Sequence, residues 1–420
     1  MTTADEICAT GATPALTAPA RAGRRPLRLR PVAAFAGTSL AFVAVALAVG
    51  APSPLFVLYE QEWGFAPWLL TVAFAIYAVT LLITLLVAGS LSDHIGRRPV
   101  LIGALIIQIA SNLTFLAASG VGWVIAGRII QGVASGAATA AFTAALVELA
   151  APNRKRLGTV LGSVGLTGGL GFGSLLAGLA IQLTPAANSI IFVVLTVVTI
   201  FGTVLVVLSP ETATRVPGAL RSLVPRIAFP PATRREFAAA APVVAAVWML
   251  AGLSGGLAPS MVRSVFHLNS GLLNGLAGFV APATSAVVGL AFARVDSRRA
   301  MTWGIYASIV GAIGIITGVL AGSLAVMIIG QAIAGVGFGA AFTAALQLIF
   351  PLAGPHQRAG VVAGIYLVSY LALGIPVVIA GQLSGPIGEV PAVTSYTALT
   401  VVLALASLIA QLRLKRRTHV

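Results

Sequence analysis

The stretch GSLSDHIGRRPVL, Gly89–Leu101, sits between two apolar runs, Thr71–Ala88 and Val100–Ala118. Each run is long enough to cross the hydrocarbon core of a bilayer as a helix, so the charged stretch reads as a short loop between two membrane spans. The chain has to turn there within a few residues, and Gly89 and Gly96 lower the steric cost of doing so. Asp93 closes the first helix, Arg97 and Arg98 follow it, and Pro99 suits the first turn of the next.

Composition extends this reading to the whole chain. Of its 420 residues, 58% are hydrophobic and only 8% are charged, and the mean hydropathy is +1.03. Soluble domains carry about 25% charged residues, so the pattern is that of an all-α polytopic membrane protein. The net charge of +15 does not mark a nucleic-acid binder, because the basic residues lie in short clusters between apolar runs. Cys8 is the only cysteine, which rules out an internal disulfide, and it lies in a polar tail.

Twelve spans can be placed. Residues 1–31 read as a disordered basic cytoplasmic tail, ending in Arg21, Arg24, Arg25, Arg28 and Arg30. The first span, Pro31–Tyr59, is too long for a signal core, and Gly50, Pro52 and Pro54 should kink or partly break it near its outer end. Residues 32–208 then form an N-terminal bundle of six spans. A proline- and arginine-rich stretch, 209–237, reads as a cytoplasmic linker. Residues 238–412 form a C-terminal bundle of six, and 413–420 a basic cytoplasmic tail. With both termini in the cytoplasm, 23 of the 25 Lys and Arg residues fall on the cytoplasmic side, as the positive-inside rule requires.

The two bundles repeat one another. AAFTAAL occurs at Ala140–Leu146 and again, 200 residues later, at Ala340–Leu346. The same offset sets Gly89 on Gly289 and Arg98 on Arg298, although Ala293 replaces Asp93. GRIIQG, Gly127–Gly132, corresponds to GQAIAG, Gly330–Gly335. Parallel repeats with a binding site between them near the midplane describe one class of transporter.

Gly89–Leu101 resembles motif A of the major facilitator superfamily, roughly G-x-L-(A/S)-D-x-x-G-R-(R/K)-x-x-L. It departs from that pattern at His94 and Pro99. Arg128, Gln131 and Gly132 resemble motif B, R-x-x-Q-G, of the fourth span. In the fifth span Gly165, Gly169 and Gly173 belong to a glycine-rich run similar to motif C, but the G-P core of that antiporter motif is missing. Small residues at such spacing also let membrane helices pack closely. Pro210-Glu211-Thr212 resembles the family's P-E-(S/T) boundary after span six. The resemblance implies two pseudo-symmetric six-helix bundles, a gate at motif A in which Asp93, Arg97, Arg98 and Glu148 take part, and a link between Arg128 and the substrate cavity or proton coupling. The general style resembles bacterial drug and metabolite efflux permeases.

Arg128 stands out on energetic grounds alone, since a cation inside a span costs roughly 2.5–3.5 kcal/mol on insertion scales. It must face protein or a water-filled cavity, or else snorkel to the interface. None of the ten acidic residues falls mid-span, and no H-E-x-x-H, paired-carboxylate or P-loop pattern occurs. Neither an enzyme nor a cofactor is expected. Trp248, Gln331, Thr343 and Tyr370 are among the polar and aromatic residues available to a cavity that suits a lipophilic or weakly polar organic molecule, with one Arg leaving a monocarboxylate open. The expectation is a plasma-membrane secondary transporter of a small organic substrate, working as a monomer in the lipid bilayer, with protons as the coupling ion by resemblance and no nucleic-acid partner. An importer or uniporter of a sugar-like or carboxylate metabolite, and a non-transporting receptor or scaffold on the same fold, are the alternatives.

Overall fold

The computed structural model describes residues 28–418 apart from 214, 215, 226, 228, 293, 355 and 356. Most of the expected N-terminal tail and Cys8 lie outside the described residues. Twelve helices are long and apolar enough to span a membrane. They are α1 (Pro31–Trp63), α2 (Trp68–Ala88), α3 (Arg97–Leu116), α4 (Val121–Leu149), α5 (Lys155–Leu183) and α6 (Ala187–Leu208). The second half holds α7 (Pro231–Ser264), α8 (Gly271–Phe292), α9 (Ser297–Leu320), α10 (Leu324–Leu352), α11 (Arg358–Ile387) and α12 (Glu389–Thr418). Among the described residues there is no strand.

An aqueous surface would not tolerate the outside of this bundle. Ile83, Ile106, Val197, Phe201, Trp303 and Val402 are each more than half exposed, as expected of side chains that face acyl chains. The protein is a multi-pass membrane protein.

Two boundaries differ from the sequence reading. The helix of α7 starts at Pro231, seven residues before 238, because Pro230 is extended and Pro231 fits the first helical turn. The linker is correspondingly 209–230. Helix α12 runs on to Thr418, so much of the basic tail is helical. The break in α1 falls where expected: one helix ends at Gly50 and the next begins at Pro52, with Ala51 keeping helical angles between them.

Tight crossings repeat in both halves. A Cβ on Gly132 of α4 would lie 1.9 Å from Thr80 Oγ1 on α2, and one on Gly335 of α10 would lie 2.0 Å from Thr284 Oγ1 on α8. Both threonines turn their hydroxyls back onto their own helix. The halves meet along α5–α8 and α2–α11. At the first seam a Cβ on Gly178 would be 2.5 Å from Gly271 O, and Ser174 Oγ donates to Gly275 O at 3.2 Å. At the second, a Cβ on Gly381 would be 2.3 Å from Thr71 Oγ1. The three singled-out glycines of α5 serve a different contact: Gly165, Gly169 and Gly173 face Phe42, Ala46 and Leu47 of α1, inside the N-terminal half.

Candidate functional site

The motif A loop is a dense polar network. Gly89 caps α2, its N–H donating to Leu85 O. Gly96 has φ +105°, a conformation that disfavours any side chain, and a Cβ there would also strike the Glu211 carboxylate at 2.5 Å. That carboxylate accepts the N–H groups of Arg97 at 2.8 Å and Arg98 at 3.2 Å, the otherwise unpaired donors at the start of α3. It also accepts from the N–H groups of Thr212 and Ala213. The Arg97 guanidinium pairs with Asp93, donates to Ser92 Oγ at 2.7 Å and reaches Glu148 Oε1 at 3.3 Å. Thr212 Oγ1 completes the chain by donating to Glu148 Oε2 at 2.5 Å. Arg98 turns away to the carbonyl of Val207 on α6.

Asp93, Arg97 and Glu148 are thus brought together, and every partner belongs to the N-terminal half or the linker behind it. The linker is fastened to the loop in turn. Val216 N–H donates to His94 O, His94 Nδ1 lies 3.2 Å from Val216 O, and Ser90 Oγ donates to Ser222 O. The side chain of Asp93 is 58% exposed and that of Glu148 34%, so solvent screening holds each pair to about 1 kcal/mol or less. Glu211 and Thr212 looked like a boundary marker in the sequence. Their role as braces depends on contacts over 64 to 114 residues of separation that no local pattern announces.

At the corresponding corner of the C-terminal half, the position of Arg97 is taken by a neutral residue. Ser297 Oγ, 200 residues after Arg97, donates to Gln347 Oε1 at 2.8 Å. Arg298 pairs instead with Glu236 on α7 and with Gln411 Oε1 on α12, and Asp296 caps α9 by accepting from Arg299 N–H.

Arg128 does not snorkel. It is 1% exposed. Its Nη1 donates to Gln131 Oε1 at 2.5 Å and to Val49 O at 3.2 Å, and its Nε to Ala73 O at 3.3 Å. The guanidinium lies 4.3 Å from the Tyr77 ring centre, with Phe56 at 5.7 Å and Phe74 at 6.0 Å. Among the described residues no carboxylate pairs with it. The sequence supplies the acceptors. Pro52 has no N–H, so the carbonyl of Ala48, four residues earlier, loses its helical donor. Gln131 Nε2 takes that carbonyl at 2.7 Å and so holds the acceptor that Arg128 uses. A fixed cation is thereby solvated by backbone oxygen, an amide and ring faces. Its counterpart by the repeat, Gln331, is also fully buried, but neither atom of its amide has a partner.

A cavity of about 1900 Å³ lies between the halves and reaches the motif A end. Its mouth is lined by Asp93, His94, Glu148, Arg154, Pro217 and Gln357. Trp248, Thr343 and Tyr370 line it as expected, and Gln331 does not. Phe338 and Phe342, one helical turn apart on α10, line it as well. Their i, i+4 spacing was available in the sequence, but nothing there distinguishes a cavity-facing aromatic pair from core. At the opposite end Phe74 of α2 meets Gly255 and Gly256 of α7, beside a pocket of about 280 Å³ lined among others by Glu60, Arg263, His267 and Glu389.

Comparison with known proteins agrees with this architecture. The family model of the Major Facilitator Superfamily matches residues 38–379. No curated protein matches the chain. Among solved structures, the human organic anion transporter MFSD10 (TETRAN) is similar with a TM-score of 0.64 at 17% identity, covering 90% of this chain and 100% of that one. A variant of the peptide transporter POT in complex with alafosfalin gives a TM-score of 0.73 at 14% identity, covering 93% and 97%. A POT family transporter in complex with 5-aminolevulinic acid gives 0.72 at 11%, covering 89% and 95%. At these identities the likeness is one of fold.

Proposed function

The chain belongs to the Major Facilitator Superfamily, and on that premise we propose that this membrane transporter exports a small organic molecule, drug-like or metabolic, across the plasma membrane in exchange for protons. The observation that carries the reading is the one-ended cavity: it is wide at the motif A end and sealed at the other by α2, α7 and α11. Alternating access requires such a state and its mirror. The clustering of Lys and Arg in the loops at the open end supports placing that end in the cytoplasm, so the conformation is the inward-facing one. In it Asp93 and Arg97 hold to their own half. A gate closing at this end would bring the motif A loop against the C-terminal bundle, where these charges could find second partners. Glu60 of α1 and Glu389 of α12 come from opposite halves at the sealed end, which makes them the carboxylates best placed to meet protons from outside.

Inverted membrane vesicles containing the protein test this reading. A fluorescent lipophilic cation and a panel of metabolites are offered with and without an imposed pH gradient. Gradient-driven accumulation, lost in Arg128→Ala and Asp93→Asn, is the expected result. Movement indifferent to the gradient would replace antiport by facilitated diffusion, and no movement of any compound would remove the transport reading.

A further inference from the structure

The walls of the cavity are unlike each other, and this bears on what it holds. On the C-terminal side five rings touch in a chain: Trp248 is 4.8 Å from Tyr370, 5.4 Å from Phe338 and 5.5 Å from Phe342, while Tyr366 is 6.2 Å from Phe342 and 6.0 Å from Tyr370. All five line the cavity. The facing wall, on α4 and α5, carries Thr139, Thr143 and Thr167 beside the aliphatic Val147, Val164 and Leu166, and no ring. Charge is confined to the mouth. Among the described residues the charged and titratable lining side chains are Asp93, His94, Glu148, Arg154 and Arg156, all in or beside the cytoplasmic-end loops, apart from the two tyrosines of the wall. Arg128 does not line the cavity, and its Nε and Nη1 donors are engaged by Val49, Ala73 and Gln131. Trp248 Nε1 is buried with no partner, a donor available to an acceptor close to the rings.

We infer that the cavity takes a planar aromatic molecule, stacked against the α7–α10–α11 ring wall. A sugar can lay a C–H face on a ring, but its many hydroxyls need more hydrogen-bonding partners than this wall supplies, and a carboxylate would find no cation in reach below the mouth. A flat ring system gains both area burial and ring–ring contact, the latter at offset-stacked or edge-on geometries that five differently tilted rings can supply. The opposite wall, aliphatic and hydroxyl-bearing, offers apolar contact to the other face of such a plate but no competing ring. The inference rests on the transport reading only in that a cavity open to one side is taken as a substrate site.

Equilibrium binding separates the two. Protein in lipid nanodiscs, with empty nanodiscs subtracted, is titrated with acridone, a neutral and fluorescent tricyclic plate, and anisotropy is followed. Perhydroanthracene, saturated and of similar size, serves as competitor. Saturable binding is expected, with poor competition by the saturated compound. Phe342→Leu and Tyr366→Leu keep apolar volume but remove a ring, and each is expected to weaken binding roughly three- to tenfold. Tyr366→Phe restores the ring and stays within about twofold of the parent. Monodisperse elution and an unchanged melting temperature establish that each variant is folded. Equal competition by the saturated compound, Leu variants that bind like the parent, or no saturable binding would each overturn the inference. Binding without transport would leave it standing and remove the transport reading. Transport of non-aromatic metabolites without acridone binding would do the reverse.

Discussion

The two halves share a helix plan and differ in what they do with it. Where packing alone is at stake they agree almost atom for atom: Gly132 under Thr80 in one half, Gly335 under Thr284 in the other. Where polarity is at stake they part. Arg97 and Glu148 have become Ser297 and Leu348, and Ser297 bonds instead to Gln347. Arg128, wrapped in carbonyls and rings, stands against Gln331, an amide with no partner. Even the shared AAFTAAL is used differently. Phe142 is fully buried against Phe42 at 5.1 Å, while Phe342 lies against Trp248 and lines the cavity. Scaffold is repeated and chemistry is divided, with the Arg97 network and the buried Arg128 in the N-terminal half and the aromatic wall of the cavity in the C-terminal one.

The largest expected effect breaks this comparison most directly. Arg128→Ala strips the donors from buried carbonyls and leaves a void, so its cost should be on the order of 3 kcal/mol or more. Gln331→Met removes an amide that satisfies nothing and should be neutral or stabilising, since a buried unpaired polar group is itself unfavourable. Melting temperatures in nanodiscs measure both, and equal destabilisation would show that the halves are not divided as described. Next come the shared crossings. Gly132→Val and Gly335→Val each force Thr80 or Thr284 and its helix to move, costing about 1–3 kcal/mol. The two should be equal within the error of denaturation curves, and a marked inequality would mean the repeat is only superficial.

Glu211→Ala comes third. It removes the acceptor from two N–H groups at the start of α3, a capping loss of about 1 kcal/mol, read as faster hydrogen exchange at the amides of Arg97 and Arg98. The smallest effect belongs to the exposed pair. Glu148→Gln should cost about 1 kcal/mol or less, and the loss should shrink further in high salt. Placing a charge beside Ser297 with Gln347→Glu should have no salt-sensitive benefit, because Ser297 offers no cation.

Much of this was readable in the chain. Spans are written in composition, and the break of α1 in Gly50, Pro52 and Pro54, because bilayer length and proline chemistry act locally. Motif A and R-x-x-Q-G single out Asp93, Arg97 and Arg128, and each of the three lies in a polar network. What they hold was not readable. Beyond Gln131, the acceptors of Arg128 are backbone oxygens on α1 and α2, and backbone oxygens have no sequence signature. Gln331 seemed suited to a cavity because it is polar and lies in α10, but the face it occupies on that helix is fixed by packing against neighbours that span-level reasoning cannot orient. The starts of α7 and the end of α12 were misjudged by several residues because charged residues such as Arg234, Arg235 and Arg413 can continue a helix beyond the lipid.

One feature of α7 sets the aim of everything past it. Over Leu253–Leu257 the helix widens to a π-turn, holding one more residue than an α-turn would. Its closing bond runs from the Ala258 N–H to Leu253 O, five residues back instead of four. Deleting one residue between them would let the ordinary bond form in its place, and Met261 and Arg263 would keep their positions in the small sealed pocket. Rewinding the turn without a deletion would instead swing the remainder by about 100° and carry both side chains out of it. The surplus residue is therefore a spacer, and the width of one turn sets which side chains greet the far side of the membrane.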